Sequence, residues 1–265
     1  MTAVYMILAA LVVLAVAYLI LIRPTGRKMP EALRCEYAHR GLHGGEIPEN
    51  SMAAFAAACD AGYGIELDVQ LSRDGEVMVF HDDTLTRMTG RDAKLASMTA
   101  EELAALRLGG TGAGIPRFSE VLALVRGRVP ILVELKGESL DTSLCEKTAA
   151  LLRDYAGAYC FESFNPLLVG GMKKYLPEAR RGILYTNVCK AKGKVSALNL
   201  LLTAMALNIA ARPDFIAYDK AERRALPVRI TTGLFGAEKF VWTMHGDAER
   251  ADAAAHGEHA IFELC

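Results

Sequence analysis

The chain has 265 residues, of which 52% are hydrophobic and 23% are charged, a balance that excludes a largely disordered protein. Its 30 basic and 31 acidic residues give a formal net charge of −1, so no electrostatic argument favours a nucleic-acid partner. The length suits one large domain or two small ones.

The first predicted element is an uncharged apolar segment, AVYMILAALVVLAVAYLILI, at residues 3–22. A helix needs about 20 apolar residues to cross a bilayer, so we predict a transmembrane anchor at residues 1–22. A secretory signal peptide would have a basic start, a shorter apolar core and a small-residue cleavage site. Here the basic residues follow the apolar segment: Arg23, Arg27, Lys28 and Arg34. The positive-inside rule then predicts a single-pass membrane protein whose C-terminal domain is cytoplasmic.

Six cysteines are scattered along the chain without the spacing of a metal site: Cys35, Cys59, Cys145, Cys160, Cys189 and Cys265. A chain with this length and apolar content does not need disulfides to fold. We therefore interpret the cysteines as free thiols in a reducing compartment, which agrees with a cytoplasmic location.

After a linker at residues 23–34, strand-like and helix-like segments alternate to the end of the chain. The strand candidates are CEYAHRG, GIELDV, VMVFHD, PILVELK, YCFESF, RRGILY, DFIAYD and KFVWTM, and AIFE is one more than a barrel needs. Helix candidates include SMAAFAAACDAG, between Ser51 and Gly62, and the apolar run ALNLLLTAMALNIAA. This alternation predicts an α/β fold with a parallel sheet. No Gly-rich nucleotide loop follows a strand, so we favour a TIM-type (β/α)8 barrel over residues 35–265.

Two carboxylates, Glu66 and Asp68, interrupt an apolar strand candidate, and His81 ends the next one. Residues two apart in a strand face the same side, about 6–7 Å from each other along the strand. If the Asp-Gly pair at residues 74–75 forms a two-residue hairpin turn, Asp68 lies opposite His81. If the two strands are parallel, residues 69–76 return as an extended crossover. Both topologies bring the two acids near the histidine.

Glu134 and Lys136 repeat this pattern at the end of PILVELK. Three converging carboxylates suit a hard divalent ion, Mg²⁺ or Ca²⁺. His39 and His81 titrate near neutral pH and therefore suit proton transfer. Arg40 and Lys136 form a cationic pair of the kind that holds a phosphate. These groups together predict metal-assisted phosphoryl chemistry.

Seven motifs resemble, in their order along the chain, the signature of the glycerophosphodiester phosphodiesterase family: AHRG, PENS, IELDVQLSRDGEVMVFHDDTLTRMTG, IPRFSEVL, VELKGE, ESFNP and VWT. The combination of His-Arg-Gly, Glu-Leu-Asp and His-Asp is far more specific than any one of these motifs. The resemblance implies a TIM-type barrel that uses a divalent metal to hydrolyse glycerophosphodiesters to glycerol 3-phosphate and an alcohol. It also implies a small insertion after the third strand, at about residues 82–116.

The resemblance assigns roles to particular residues of this chain. They are His39 and His81 as the acid–base pair, Glu66, Asp68 and Glu134 as metal ligands, Arg40 and Lys136 as phosphate-binding residues, and Glu49 and Asn50 as support for the metal and the glycerol. The chain departs from the family at two places. His245 replaces the usual Asn after the Trp-Thr motif, and AIFELC replaces the usual closing Thr-Asp-x-Pro.

Other functions stay open beside the hydrolysis of water-soluble glycerophosphodiesters. The same chemistry suits a lysophospholipase D acting on lysolipids. A barrel that has this shape but no turnover would be a membrane-tethered binding module. We expect ALNLLLTAMALNIAA to be a buried barrel helix, with contact to the membrane or a lipid tail as the alternative. The loops LHGGEI and LGGTGAG are small and polar, which favours a soluble substrate with a glycerol head. No obligate protein partner is expected.

Overall fold

Eight parallel strands close into a barrel in the computed structural model, which describes residues 1–137 and 140–264. The strands are β1 (Tyr37–Ala38), β2 (Gly64–Leu71), β3 (Val77–Val79), β4 (Ile131–Leu135), β5 (Tyr159–Ser163), β6 (Arg180–Tyr185), β7 (Phe215–Asp219), β8 (Glu238–His245) and β9 (His259–Glu263). All of them except β3 belong to the barrel, and β1 pairs in parallel with both β2 and β9, which closes it. The predicted TIM-type (β/α)8 barrel is confirmed, and the AIFE segment is its last strand.

Helices lie outside the barrel, and all of them except α1, which precedes β1, lie between consecutive strands. They are α1 (Thr2–Ile22), α2 (Met52–Ala61), α3 (Thr86–Thr89), α4 (Ala100–Ala104), α5 (Phe118–Val125), α6 (Ser143–Leu152), α7 (Pro166–Tyr175), α8 (Val188–Ala191), α9 (Ala197–Thr203), α10 (Asn208–Ala211), α11 (Leu226–Arg229) and α12 (Gly246–Ala255). The hydroxyl of Ser51 accepts a hydrogen bond from Ala54 N and caps α2, which ends at Gly62 in the left-handed conformation. The predicted ends of this helix are confirmed.

The surplus strand candidate is β3, which forms an antiparallel hairpin with β2. Val69 pairs with Val79, and a three-residue loop at residues 73–75 ends at Gly75, whose φ is 80°. Such a loop places a glycine in the left-handed region and shifts the register by one residue relative to a two-residue turn. Asp68 therefore lies opposite Phe80, whose N–H donates to its carbonyl oxygen. The hairpin alternative is confirmed, and its predicted pairing of Asp68 with His81 is wrong.

Residues 82–116 form the small insertion that the sequence predicts after the third strand. It contains α3, α4 and short 3₁₀ turns, and it has its own apolar cluster, which includes Phe80, Leu85, Leu95, Leu103 and Leu108. Because its cluster is separate, the insertion packs largely on itself and does not contribute to the barrel core.

The predicted helix ALNLLLTAMALNIAA is interrupted, and the expectation that it is buried is wrong for its first half. Met205 has a φ of 53°, which ends the helical path between α9 and α10. Leu198, Leu200 and Leu201 on α9 are exposed by 57%, 53% and 44%. An L-residue in the left-handed region stops an α-helix, and the apolar run therefore does not cover the barrel as one element.

The linker after α1 is docked on the N-terminal end of the barrel. Arg27 forms an ion pair of 2.6 Å with the buried Asp214, and its guanidinium also donates to Pro177 O and Ala179 O. Met29 and Leu33 are buried in the adjoining apolar cluster. The base of α1 is therefore fixed against the barrel instead of hanging on a free tether.

Among the described residues, α1 is the one helix long and apolar enough to cross a membrane. Its side chains are exposed until the last turn, where Tyr18 donates to Ala204 O and Ile22 is buried. A signal sequence near the N-terminus can also be this long and apolar, so these properties are compatible with either a membrane anchor or a signal sequence.

Candidate active site

A cavity of about 100 Å³ opens at the carboxyl ends of the barrel strands. Six of the predicted site residues line it: His39, Arg40, Glu66, His81, Glu134 and Lys136. The rest of its wall is formed by Glu162, Phe164, Leu184, Trp242, Thr243 and Ile261. The mouth of a TIM-type barrel is the usual place for an active site, because several loops converge there.

The three predicted metal ligands converge in this cavity. Glu66 and Asp68 share the inner face of β2, and Asp68 is in register with Glu134 on the neighbouring strand β4. One carboxylate oxygen from each lies within 4.8 Å of the others, and all three side chains are buried. Burial raises the pKa of Glu66 well above its ordinary value and that of Glu134 to about 7. Carboxyl groups so close together are stable as anions only beside positive charge.

Lys136 and Arg40 supply positive charge at the acid cluster. Lys136 Nζ lies 3.0 Å from Asp68 Oδ1 and 2.9 Å from Glu134 Oε1. Arg40 Nε lies 3.7 Å from Asp68 Oδ2. Burial opposes ionisation of Asp68, but Lys136 and its other cationic neighbours hold its pKa below the ordinary value. The predicted phosphate clamp therefore lies directly beside the predicted metal ligands.

Glu49 and Asn50 lie behind this cluster and orient its members. Asn50 Nδ2 donates to Asp68 Oδ2 at 2.8 Å. Glu49 accepts from Arg40 Nη1 at 2.9 Å and forms a second ion pair with Arg87. The backbone N–H of Arg40, a residue in the left-handed region with a φ of 56°, donates to Glu66 Oε2. The loop after β1 thus fixes the acids of β2.

Each of the two histidines has a carboxylate partner. Nδ1 of His39 lies 2.6 Å from Glu263 Oε1, and Nδ1 of His81 lies 2.6 Å from Asp82 Oδ1. A carboxylate only accepts hydrogen bonds, so Nδ1 carries the proton in both rings and Nε2 remains for proton transfer. Burial lowers the pKa of both imidazoles below the ordinary value, which favours the neutral base.

Two acids of the site were not among the predicted residues. Glu263 is the last residue of β9, within AIFELC. A carboxylate at the end of a strand, where the barrel mouth lies, is the pattern that could have indicated this residue from the sequence. Its hydrogen bond from His39 holds its pKa below the ordinary value. Glu162 lies on β5 in register with Glu134, is 2% exposed, and its Oε2 has no hydrogen-bond partner among the described residues. Burial raises the pKa of Glu162 well above its ordinary value.

The remaining wall of the cavity includes two aromatic side chains, Phe164 and Trp242. Phe164 and Trp242 meet edge to face with ring centroids 5.7 Å apart, and Trp242 Nε1 donates to Ala217 O. His245, which replaces the expected asparagine, is exposed at the rim with its Nδ1 3.7 Å from Glu263 Oε2. The cavity thus combines acids and cations with aromatic and aliphatic side chains, as suits a substrate with a charged and an uncharged part.

Comparison with known proteins identifies the family that shares these features. The model of the glycerophosphoryl diester phosphodiesterase family matches residues 39–259. A glycerophosphodiester phosphodiesterase of Caldanaerobacter subterraneus is 36% identical over 160 residues, which cover 56% of this chain and 65% of that protein. The rat lysophospholipase D GDPD1 is 31% identical over 142 residues, 49% of this chain and 44% of that protein. The matches to these curated relatives thus cover less than two thirds of their length.

Solved structures share the fold over nearly the whole barrel. A glycerophosphodiester phosphodiesterase of Agrobacterium tumefaciens has a TM-score of 0.64 at 28% identity, covering 88% of this chain and 96% of that one. An Oleispira antarctica phosphodiesterase, solved with the product sn-glycerol-3-phosphate, has a TM-score of 0.70 at 23% identity and covers 86% and 92%. At this level of identity the second likeness supports the fold alone.

Proposed function

This chain belongs to the glycerophosphoryl diester phosphodiesterase family, and from that premise we propose that it hydrolyses glycerophosphodiesters to glycerol 3-phosphate and an alcohol. The observation that carries the proposal is the pair of carboxylate-backed histidines beside a buried cluster of acids and cations. A phosphodiester needs a base for its nucleophile, an acid for its leaving group and positive charge for its oxygens. All three are available within one cavity.

We propose that Glu66, Asp68 and Glu134 hold one divalent ion, Mg²⁺ or Ca²⁺. Oxygen ligands at this spacing suit either ion. The charge balance also fits, because among the described residues the four buried carboxyls, with Glu162 included, have Arg40 and Lys136 as their cationic neighbours. Once bound, the ion would polarise a phosphoryl oxygen and stabilise the charge that develops in the transition state.

His39 and His81 act in this proposal as the acid–base pair. One imidazole takes the proton of the nucleophile through Nε2, and the other donates a proton to the departing alkoxide. The nucleophile is water or the glycerol hydroxyl of the substrate, the latter by way of a cyclic phosphate. Glu263 and Asp82 fix the tautomer of each ring through Nδ1. The cations Arg40 and Lys136 hold the phosphodiester.

Lysophospholipase D activity is the second candidate, and a specific observation supports it. The exposed leucines of α9 follow β6 on the mouth side of the barrel, and one relative with the same domain is a lysophospholipase D. The small, mostly polar loops at residues 42–47 and 108–114 support the soluble substrate instead. We rank soluble glycerophosphodiesters first, because Ile47 is the one large apolar side chain that these two loops expose.

A substrate panel separates the candidates. Purified full-length protein in detergent is given glycerophosphocholine, glycerophosphoethanolamine and their lyso counterparts, and kcat/KM is measured from the release of choline or ethanolamine. We expect the soluble diesters to have the larger kcat/KM and to yield glycerol 3-phosphate. A larger value for the lysolipids would reverse the ranking. If no diester is turned over with Mg²⁺ or Ca²⁺ present, the remaining candidate is the membrane-tethered binding module.

We also propose that α1 spans the membrane once, with the barrel in the cytoplasm. Basic residues follow the helix, and the described cysteines are free thiols, while Cys265 lies outside the described residues. Protease added to intact cells is expected to spare the barrel and to digest it after permeabilisation. Digestion in intact cells would contradict this topology. Loss of residues 1–22 from the mature protein, read by mass spectrometry, would identify a cleaved signal sequence instead.

A further inference from the structure

The segment from α8 to α9 exposes apolar side chains and buries a polar one, the reverse of what a helix on the outside of a soluble barrel does. Four apolar side chains are exposed, and together they are called the α9 apolar face: Val195, Leu198, Leu200 and Leu201. The buried member of α9 is polar, since Asn199 is 7% exposed and its Nδ2 donates to Lys194 O at 2.8 Å. A helix that buries its asparagine and exposes its leucines is matched to apolar surroundings on its outer side.

The α9 apolar face lies beside the base of α1. Tyr18, one turn before the end of α1, donates to the carbonyl oxygen of Ala204, the residue directly after α9. The last turn of α1 also packs on α10. Leu200 and Leu201 lie three to four residues before this contact, which is about one helical turn. The exposed leucines therefore adjoin the level at which α1 would leave a bilayer.

The charged side chains of the segment that carries the α9 apolar face have one sign. Residues 186–213 contain no aspartate or glutamate, and exposed lysines precede α9 at positions 190, 192 and 194. Basic side chains next to an exposed apolar helix are the pattern of segments that lie in the interface of an anionic bilayer. The lysines suit lipid phosphates, and the leucines suit the upper acyl chains.

We propose that residues 188–203 dock on the surface of an anionic phospholipid bilayer, with the α9 apolar face inserted beside α1. The docking rests on α1 being a membrane span, as proposed above. Tyr185, at the carboxyl end of β6, donates to Thr203 O at 3.1 Å and so ties the docked segment to the mouth side of the barrel. The rim of the active site is thereby held next to the lipid headgroups.

Fluorescence quenching in bilayers tests this docking. Full-length variants with a single tryptophan are made in a Trp242→Phe background, because Trp242 is the one native tryptophan. Leu201→Trp probes the α9 apolar face, and Leu11→Trp probes the exposed middle of α1. Ala61→Trp on α2 is the matched control, since α2 joins the first two barrel strands and lies diametrically opposite the segment between β6 and β7. The probe is a bilayer of phosphatidylglycerol and phosphatidylcholine that is brominated near the headgroup or near the chain end.

We expect lipid brominated near the headgroup to remove most of the Leu201→Trp fluorescence and little of that from Ala61→Trp. Lipid brominated near the chain end should quench Leu11→Trp. Quenching of Leu11→Trp without quenching of Leu201→Trp would overturn the docking and leave the anchor intact. No quenching of either would overturn both. A blue-shifted Leu201→Trp spectrum that brominated lipid does not quench would assign the face to a protein occupant, and that also overturns the proposal.

A charge reversal tests the choice of anionic lipid. Lys190→Glu with Lys194→Glu is expected to lower the quenching of Leu201→Trp to the level seen in pure phosphatidylcholine. The same reversal at Arg91 and Lys94, which are exposed in the insertion, serves as the matched control and should leave the quenching unchanged. Equal quenching after reversal of Lys190 and Lys194 would overturn the role of the lysines in docking.

Discussion

Alanine in place of His39 or His81 is expected to lower kcat by about 10²–10⁴-fold, the usual loss when a general acid or base is removed. Each imidazole presents Nε2 to the cavity because Nδ1 is held by a carboxylate at 2.6 Å. The loss should fall on kcat more than on KM, since the proposed phosphodiester ligands Arg40 and Lys136 are retained. The measurement is a steady-state comparison of full-length variants in detergent.

His256→Ala is the matched control for these variants. His256 lies at the end of α12, exposed and hydrogen-bonded to its own helix, and its replacement should leave kcat unchanged. Turnover within a few-fold of the unaltered protein for both His39→Ala and His81→Ala would contradict the acid–base assignment. A loss in one variant alone would assign both proton transfers to that histidine.

We expect Glu263 to be a positioning residue, whose effect on kcat is exerted through the ring of His39. Glu263→Gln removes the carboxylate that fixes the ring, and the corresponding change in serine proteases costs about 10⁴-fold in kcat. We expect a smaller loss than for His39→Ala, because the amide still accepts a hydrogen bond. The double variant Glu263→Gln with His39→Ala should be no slower than His39→Ala alone. Additive losses would show that Glu263 acts independently of His39.

The acid cluster could be predicted from the sequence because strand geometry leaves few alternatives. Glu66 and Asp68 are two residues apart in a strand, so they share a face in any register. Glu134 ends another strand, and a parallel barrel brings all strand ends to one mouth. The structure confirms the barrel that this argument needs, and it brings the three acids within 4.8 Å.

Three features could not be predicted, each for a physical reason. The register of β2 with β3 depends on whether the loop has two or three residues, and an Asp-Gly pair suits both. The break between α9 and α10 depends on the left-handed Met205, which has no preference for that conformation. The pairing of Glu263 with His39 depends on closure of the barrel between β1 and β9, a contact between the two ends of the domain.

The docked linker fixes where α1 leaves the barrel, and therefore how the proposed membrane span is placed relative to the active site. A free linker at residues 23–34 would let the mouth face any direction. Arg27 instead binds the buried Asp214, and Tyr18 binds Ala204, so α1 leaves the barrel at a fixed place beside α10. If α1 spans a membrane as proposed, the orientation of the mouth relative to the bilayer is a property of the fold, and the quenching experiment tests it.

Removal of the divalent ion is expected to have the largest effect on activity. A bound metal supplies several kcal/mol of transition-state stabilisation, and about 1.4 kcal/mol is a factor of ten, so chelation should lower kcat by at least about 10³-fold. Readdition of Mg²⁺ or Ca²⁺ should restore it, and the ion that restores more identifies the preferred cofactor. Equal rates before and after chelation would contradict a catalytic metal.

Binding of the ion can be measured without turnover, through the Tm of the full-length protein. An ion that binds only the folded state raises Tm, because it stabilises that state by RT ln(1 + c/Kd), with c the free ion concentration. Asp68→Asn and Glu134→Gln should abolish this rise, while Glu120→Gln, at an exposed carboxylate of α5, should retain it. Without metal, Glu66→Gln should keep or raise Tm, because burial already disfavours the charged form of Glu66. A metal-induced rise that persists in both Asp68→Asn and Glu134→Gln would place the ion outside this cluster.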